Sequence, residues 1–165
     1  MQTKNFKNLP YLFYDRAREF SSIVAFYYNP QEGNSKNRDK IQLNSLTWQE
    51  VKNKVDSLAA GLISKGLQKG ERVGILANTR YEWAVVDIGT LSAGGILATY
   101  YHTCTPEELI YLINDSGAKY LFVEDKKQLD KIRQIKDQLG LKLLIVIDNS
   151  IGSPEDKKQE ENDTE

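Results

Sequence analysis

The sequence predicts an α/β protein: an N-terminal helix and an antiparallel strand pair, followed by a βαβαβαβ unit on a parallel sheet. Three observations predict it. Four short apolar runs, "RVGILA", "GILATY", "KYLFV" and "KLLIVI", recur from Arg72 to Ile147. A helix-like segment separates each run from the next. The runs are continuous rather than alternating, as in strands buried on both faces. Strands alternating with helices in this way imply parallel pairing through right-handed crossovers.

The elements follow in order. An aromatic-rich helix is expected from about Leu9 to Phe20. "SIVAFYY" and "KIQLNSL" read as two strands, with the turn-forming loop "NPQEGNSKNRD" between them. "TWQE", from Thr47 to Glu50, is a capping box with Thr47 as N-cap. Trp48, Val51, Val55, Leu58, Ala59, Leu62 and Ile63 then form one apolar stripe at helical period. Gly66 stands where a left-handed C-terminal cap needs glycine. After "RVGILA", the stretch "TRYE" from Thr79 to Glu82 reads as a second capping box. After "GILATY", "TPEE" caps a third helix, with Pro106 in the first turn, where its missing N–H costs nothing. "DKKQLDKIRQIKDQLG" sets Leu129, Ile132, Ile135 and Leu139 on one face, and Gly140 is expected to end that helix. The domain is expected to span residues 1–147. Residues 148–165 are expected to form an acidic disordered tail or linker, since they carry almost no apolar residues.

The totals narrow the function classes. The chain has 22 basic and 23 acidic residues. Six acidic and two basic residues lie between Glu155 and Glu165, which gives that stretch about −4 and leaves the rest near +3. So mild a charge argues against nucleic-acid binding. A single cysteine forms no internal disulfide and points to a reducing compartment. The N-terminus lacks the apolar core of a signal peptide. No run approaches the ~20 apolar residues of a membrane helix. A cytoplasmic protein is expected, with peripheral association on an intracellular membrane left open.

Three stretches invite a chemical reading. "YYHTCTPEEL" holds His102 and Cys104, the only histidine and cysteine. They fall at the carboxyl end of "GILATY", the edge where open α/β sheets bind ligands. Two residues of spacing guarantee no catalytic geometry, however. Two such groups are also too few for a metal. The plainer reading is a loop followed by a capped helix. "GTLSAGG", Gly89 to Gly95, has the composition of a phosphate loop. It closes a helix rather than opening one, so it lacks the anion-binding dipole, and no GxGxxG motif occurs. Its small residues are expected to let the helix approach the sheet. "ANTRYEW" places Asn78, Arg80 and Trp83 at the carboxyl end of "RVGILA"; the plainer reading gives Asn78 and Thr79 to the turn. Tyr11, Phe13, Tyr14 and Phe20 read most simply as core or interface residues. The charged "DKKQLDKIRQIKD" reads as a solvated helix face. The residues alone therefore give an α/β unit with no complete catalytic set.

The wording and order of the segments add a resemblance. "TWQE", "LAAGL", "KGERVGIL", "NTRYEW", "AGG", "TPEEL" and "NDSGAKYLFVED" occur in sequence and at family-like spacing. From about Leu9 to Ile147 the chain closely resembles the N-terminal part of AMP-forming acyl-CoA synthetases, most of all the long-chain fatty acid–CoA ligases. His102 is a departure, since the family more often has proline or another residue before the threonine.

The resemblance implies part of a larger two-domain adenylate-forming fold. It also implies a two-step reaction. A fatty acid carboxylate attacks the α-phosphate of ATP, giving an acyl-adenylate and pyrophosphate. Coenzyme A thiol then displaces AMP. Mg²⁺ is implied on the phosphates. The family's phosphate loop, nucleotide contacts, hinge and catalytic lysine lie downstream of the matched region. No catalytic or metal residue therefore carries over, and the fragment alone is expected to be inactive. Weak cofactor-binding candidates are Asn78, Arg80, Thr103 and Thr105. The implied partner is the remainder of the chain's own adenylation domain. Two alternatives stand beside this reading: a truncated paralogue acting as a protein-interaction module, and an adenylate-forming ligase for another carboxylic acid.

Overall fold

The computed structural model describes residues 7–29 and 43–148. The chain divides into two compact units, one drawn from residues 1–70 and 80–95, the other from 71–79 and 96–165.

The first unit holds α1 (Leu9–Glu19), β1 (Val24–Tyr28), β2 (Asn44–Thr47), α2 (Trp48–Ser64) and α3 (Tyr81–Ser92). Helix α1 starts on Asn8, whose side chain accepts from the Tyr11 N–H at 2.9 Å. Arg16 and Arg18 fill its last turn, where cations oppose the helix dipole. Strands β1 and β2 pair antiparallel, with a break in register between Val24 and Phe26. The pairing direction continues into α2: Trp48 N–H donates to Ile23 and Gln49 N–H to Ser21. The capping box at Thr47 and Glu50 forms as the sequence predicts. Gly66 follows α2 with φ of 88°. Leu46, Val51, Val55 and Val85 form the core, and Phe13, Tyr14, Phe26 and Leu58 pack against it.

Three expectations need correcting here. Ile63 is 56% exposed, because the buried stripe of α2 closes on Leu62. Tyr11 also faces water rather than the core. Helix α3 has no capping box: Arg80 is its N-cap and makes no side-chain cap bond. Glu82, expected to reach back to the backbone, instead binds the Arg80 guanidinium at 2.7 and 2.8 Å. Two charge-assisted bonds to a fork of donors outcompete one backbone N–H. Among the small residues of "GTLSAGG", Gly89 admits a close neighbour on α2. A Cβ there would stand 2.5 Å from Leu58 Cδ2. The close approach it permits is thus to a helix.

The second unit holds β3 (Arg72–Leu76), β4 (Ile96–Tyr100), α4 (Pro106–Ser116), β5 (Tyr120–Val123), α5 (Lys126–Arg133) and β6 (Leu143–Val146). Its strands lie in the order β4-β3-β5-β6. All three pairings are parallel, as the continuous apolar runs predict. The central strands β3 and β5 are buried apart from Arg72, while β4 and β6 at the sides are mostly half-exposed or more. Leu76, Leu109, Ile113, Leu121, Val123 and Ile132 make the core. Gly74 lies at the centre of β3 because nothing larger fits. A Cβ there would meet the Tyr100 ring at 2.7 Å and Leu121 Cδ1 at 2.8 Å. Helix α4 has the Thr105–Glu108 capping box and Pro106 in its first turn, as expected.

Helix α5 is shorter than the sequence suggests. It ends at Arg133, and a 3-10 turn at Lys136–Gln138 follows. Ile135 leaves the α conformation (φ −118°, ψ 3°) and its N–H bonds Ile132 instead of the residue four back. The tighter turn keeps Ile135 in the core and Leu139 against it. The apolar stripe therefore survives although the helix does not reach Gly140. The polar loop after Tyr28 and the acidic tail from Asn149 fall almost wholly outside the described residues. No described helix is long and apolar enough to cross a membrane.

Candidate functional site

In a parallel sheet the strand carboxyl ends point to one edge, and loops there are free to meet ligands. In the second unit that edge carries Asn78 beyond β3, the turn Tyr101–Thr105 beyond β4, and Glu124 beyond β5. The structure thus places Asn78, Thr103 and Thr105 along one edge. Arg80 belongs to the first unit.

Asn78 is exposed, and its environment is specific. Its backbone N–H and its side-chain Nδ2 both donate to Glu124 Oε2 at 2.8 Å. Glu124 N–H in turn donates to the Leu76 carbonyl at 3.1 Å. The carboxylate thereby ties the exit of β3 to the exit of β5. The sequence reading assigned Asn78 to its own turn and missed Glu124, because nothing local links residues so distant in sequence.

Thr105 is occupied by its helix. Its Oγ1 accepts from Glu108 N–H, and its own N–H donates to Glu108 Oε2 at 2.8 Å. Thr103 is exposed, and its side chain has no hydrogen-bond partner among the described residues. His102 and Cys104 are half-buried, and no bond joins imidazole to thiol among the described residues. What holds this stretch is α5. Lys131 Nζ donates to the His102 carbonyl at 2.9 Å and to the Cys104 carbonyl at 2.8 Å. Gln128 Nε2 adds a bond of 3.2 Å to the His102 carbonyl. The solvated-face reading of "DKKQLDKIRQIKD" is therefore wrong for these two residues. The available signal was their spacing: Gln128 and Lys131 sit one turn apart, beside the apolar stripe of Leu129 and Ile132.

Arg80, in the first unit, is committed to Glu82. Burial alone would raise the Glu82 carboxyl, but hydrogen bonds and charge from Arg80 bring it below its ordinary value. Beside it, the Tyr81 hydroxyl is pushed up to about 12 by burial and then by the Glu82 charge. Its ring lies 4.6 Å from that of Tyr28, with Lys54 Nζ 5.8 Å from its centre.

Helix α3 ends in the "GTLSAGG" stretch, so that stretch presents no helix N-terminus to a phosphate. No group of three or more His, Cys, Asp or Glu that could hold a metal ion occurs among the described residues.

Residues 13–165 match the family described as AMP-binding enzyme. The long-chain-fatty-acid–CoA ligase FadD15 of Mycobacterium tuberculosis is 36% identical over 90 residues, which is 54% of this chain and 15% of that protein. The long-chain-fatty-acid–CoA ligase ACSBG2 of Mus musculus is 35% identical over 124 residues, 75% of this chain and 17% of that protein. This chain therefore spans less than a fifth of the length of these relatives. The anthranilate CoA ligase AuaEII, solved with anthranoyl-AMP, superposes with a TM-score of 0.73 over 88% of this chain and 26% of its own, at 22% identity, which shows the shared fold.

Proposed function

The chain belongs to the AMP-binding enzyme family, and from that premise we propose that it is the N-terminal part of the adenylation domain of a long-chain fatty acid–CoA ligase. The observation that carries this reading is the identity to such ligases from a bacterium and a mammal, over 54% and 75% of this chain. The complete protein would join a fatty acid to coenzyme A through an acyl-adenylate, using ATP. Positioning and electrostatic stabilisation dominate such phosphate chemistry. Magnesium would neutralise the phosphates. It would be held largely by the phosphates, water and one or two carboxylates.

This chain's own contribution would be structural, as one wall of the larger domain. Strand β4 ends the sheet among the described residues, and Ile96 on it is 51% exposed. A half-bare edge of this kind fits continuation into the rest of the domain. Residues 1–147 would form the subdomain, and 148–165 the link onward. Of the residues at the carboxyl edge, Asn78 and Thr103 would be the ones to meet a ligand.

Two measurements test the proposal. Reading the transcript beyond the codon for Glu165 should run into a Ser/Thr/Gly-rich loop containing lysine. The protein so completed should form palmitoyl-CoA from palmitate, ATP and coenzyme A, while the 165-residue chain shows no ATP–pyrophosphate exchange with palmitate. Robust exchange by the 165-residue chain overturns the structural role. A completed protein that activates no fatty acid overturns the ligase reading.

A further inference from the structure

The turn Tyr101–Cys104 has little apolar burial to fix it. Tyr101 is 80% exposed and Thr103 is exposed, His102 is half-buried, and Cys104 is the apolar residue of the turn that packs against the core. One backbone bond closes the turn, from Cys104 N–H to the Tyr101 carbonyl at 3.0 Å. The remaining hold comes from α5. Lys131 divides its ammonium between the carbonyls of His102 and Cys104. The His102 carbonyl also accepts from Gln128, so both of its lone pairs are engaged. Bonds from a charged donor are stronger than neutral ones. Gln128 is only 2% exposed, so little water competes for its bond to the His102 carbonyl.

We propose that Lys131 is a positioning residue that clamps the Tyr101–Cys104 turn, with Gln128 assisting, and so sets where Thr103 stands at the carboxyl edge of the sheet. Without the ammonium, water replaces it on both carbonyls. The turn then opens locally while the sheet stays intact, as weakly buried segments do. The structural half of this inference stands alone. Its catalytic half rests on the ligase reading above.

Cys104 is the only cysteine, so its alkylation by iodoacetamide under native conditions reports on this turn. In the 165-residue chain, Lys131→Met is expected to speed alkylation about tenfold, as local opening becomes more populated. Lys131→Arg, which keeps a charged donor, should recover most of the protection. If Lys131→Met does not fold, Gln128→Leu serves, with an expected increase of about threefold on the same grounds. A rate within twofold of wild type in a folded variant overturns the clamp. In the completed ligase, Lys131→Met should lower kcat/KM for acyl-CoA formation by about tenfold, with rescue by Lys131→Arg, as expected of misplaced positioning. Unchanged kcat/KM despite rapid alkylation overturns the positioning role. If the wild-type completed protein makes no acyl-CoA, the ligase reading fails, and the alkylation ratio still decides the clamp.

Discussion

The two units bury their cores by different means. In the second unit Val73, Ile75, Leu76, Leu121 and Val123 are wholly inaccessible, so strands β3 and β5 are fixed by filled volume. In the first unit the aromatic side chains stay partly wet and lean on one another. Phe13 meets Tyr14 edge-on at 5.4 Å, and Tyr14 Oη donates to Asp56 Oδ1 at 2.7 Å. Exposed apolar side chains do not separate the units, since Leu9, Ile23, Tyr27 and Ile63 in the first and Ile96, Tyr101 and Tyr111 in the second are all at least half exposed. Each unit is therefore vulnerable to a different kind of change. The sheet unit should respond to changes of volume, and the helical unit to changes of charge and hydrogen bonding.

The largest expected effect breaks the sheet unit. Leu121→Ala removes a fully buried side chain between neighbouring strands, and should cost about 3–4 kcal/mol in urea unfolding of the 165-residue chain, the usual range for a rigid core site. A loss below about 1 kcal/mol would show that the sheet core relaxes as readily as the aromatic one. Next comes Gly74→Ala. Its added methyl faces Leu121 and the buried Tyr100 ring, a rigid body with no room to retreat in a packed sheet, and about 2 kcal/mol of overpacking is expected. Gly89→Ala in the first unit provides the contrast. There the nearest atom is Leu58 Cδ2, with Leu58 Cβ behind it at 3.3 Å; no aromatic ring blocks the site, and alanine gains about 1 kcal/mol of helix propensity. Its net change should therefore be smaller than that of Gly74→Ala. Equal losses at the two glycines would erase the distinction between units. Tyr14→Phe should follow, at about 1 kcal/mol for one lost hydrogen bond to a carboxylate.

Much of this architecture was legible in the sequence because it is written locally. The continuous runs of β3 and β5 reveal burial on both faces, and Thr47 and Thr105 announce their helices through capping boxes that the structure forms. The failures share a physical cause. At "TRYE" the capping pattern is present, but the Arg80 guanidinium competes for Glu82 and wins. At Ile135 the core demands the side chain more strongly than the α-helix demands its hydrogen bond. The carboxyl edge was legible as a place, since strand direction fixes it. Its wiring was not. Glu124 reaches Asn78 across 46 positions of sequence, and Lys131 reaches His102 across 29. No local pattern encodes such pairs.

The smallest effect is the most specific to the helical unit, and it lies within one helix. On α3, Glu82 and Asp87 are shifted in opposite directions. Arg80 overrides burial at Glu82 and holds its carboxyl below the ordinary 4.5. Burial alone raises Asp87 above the ordinary 3.8. The ionised Glu82 therefore contributes stability above its unfolded pKa, which is lost as pH falls through the folded value. The raised Asp87 behaves in reverse. Its relative stability is fully present below its unfolded pKa and is lost as pH rises through the folded value, so at pH 7 its charge is a net cost. Glu82→Gln should then lower the melting temperature at pH 7, and Asp87→Asn should raise it, each by roughly 1–2 °C for a chain of this length. Both differences should shrink as pH is brought toward 3. Partial exposure to solvent keeps the effects small, because water screens both groups. A stabilising Glu82→Gln, or an Asp87→Asn whose effect ignores pH, would mean that charge does not govern α3, and the contrast between a unit held by volume and a unit held by polar contacts would fail at its clearest point.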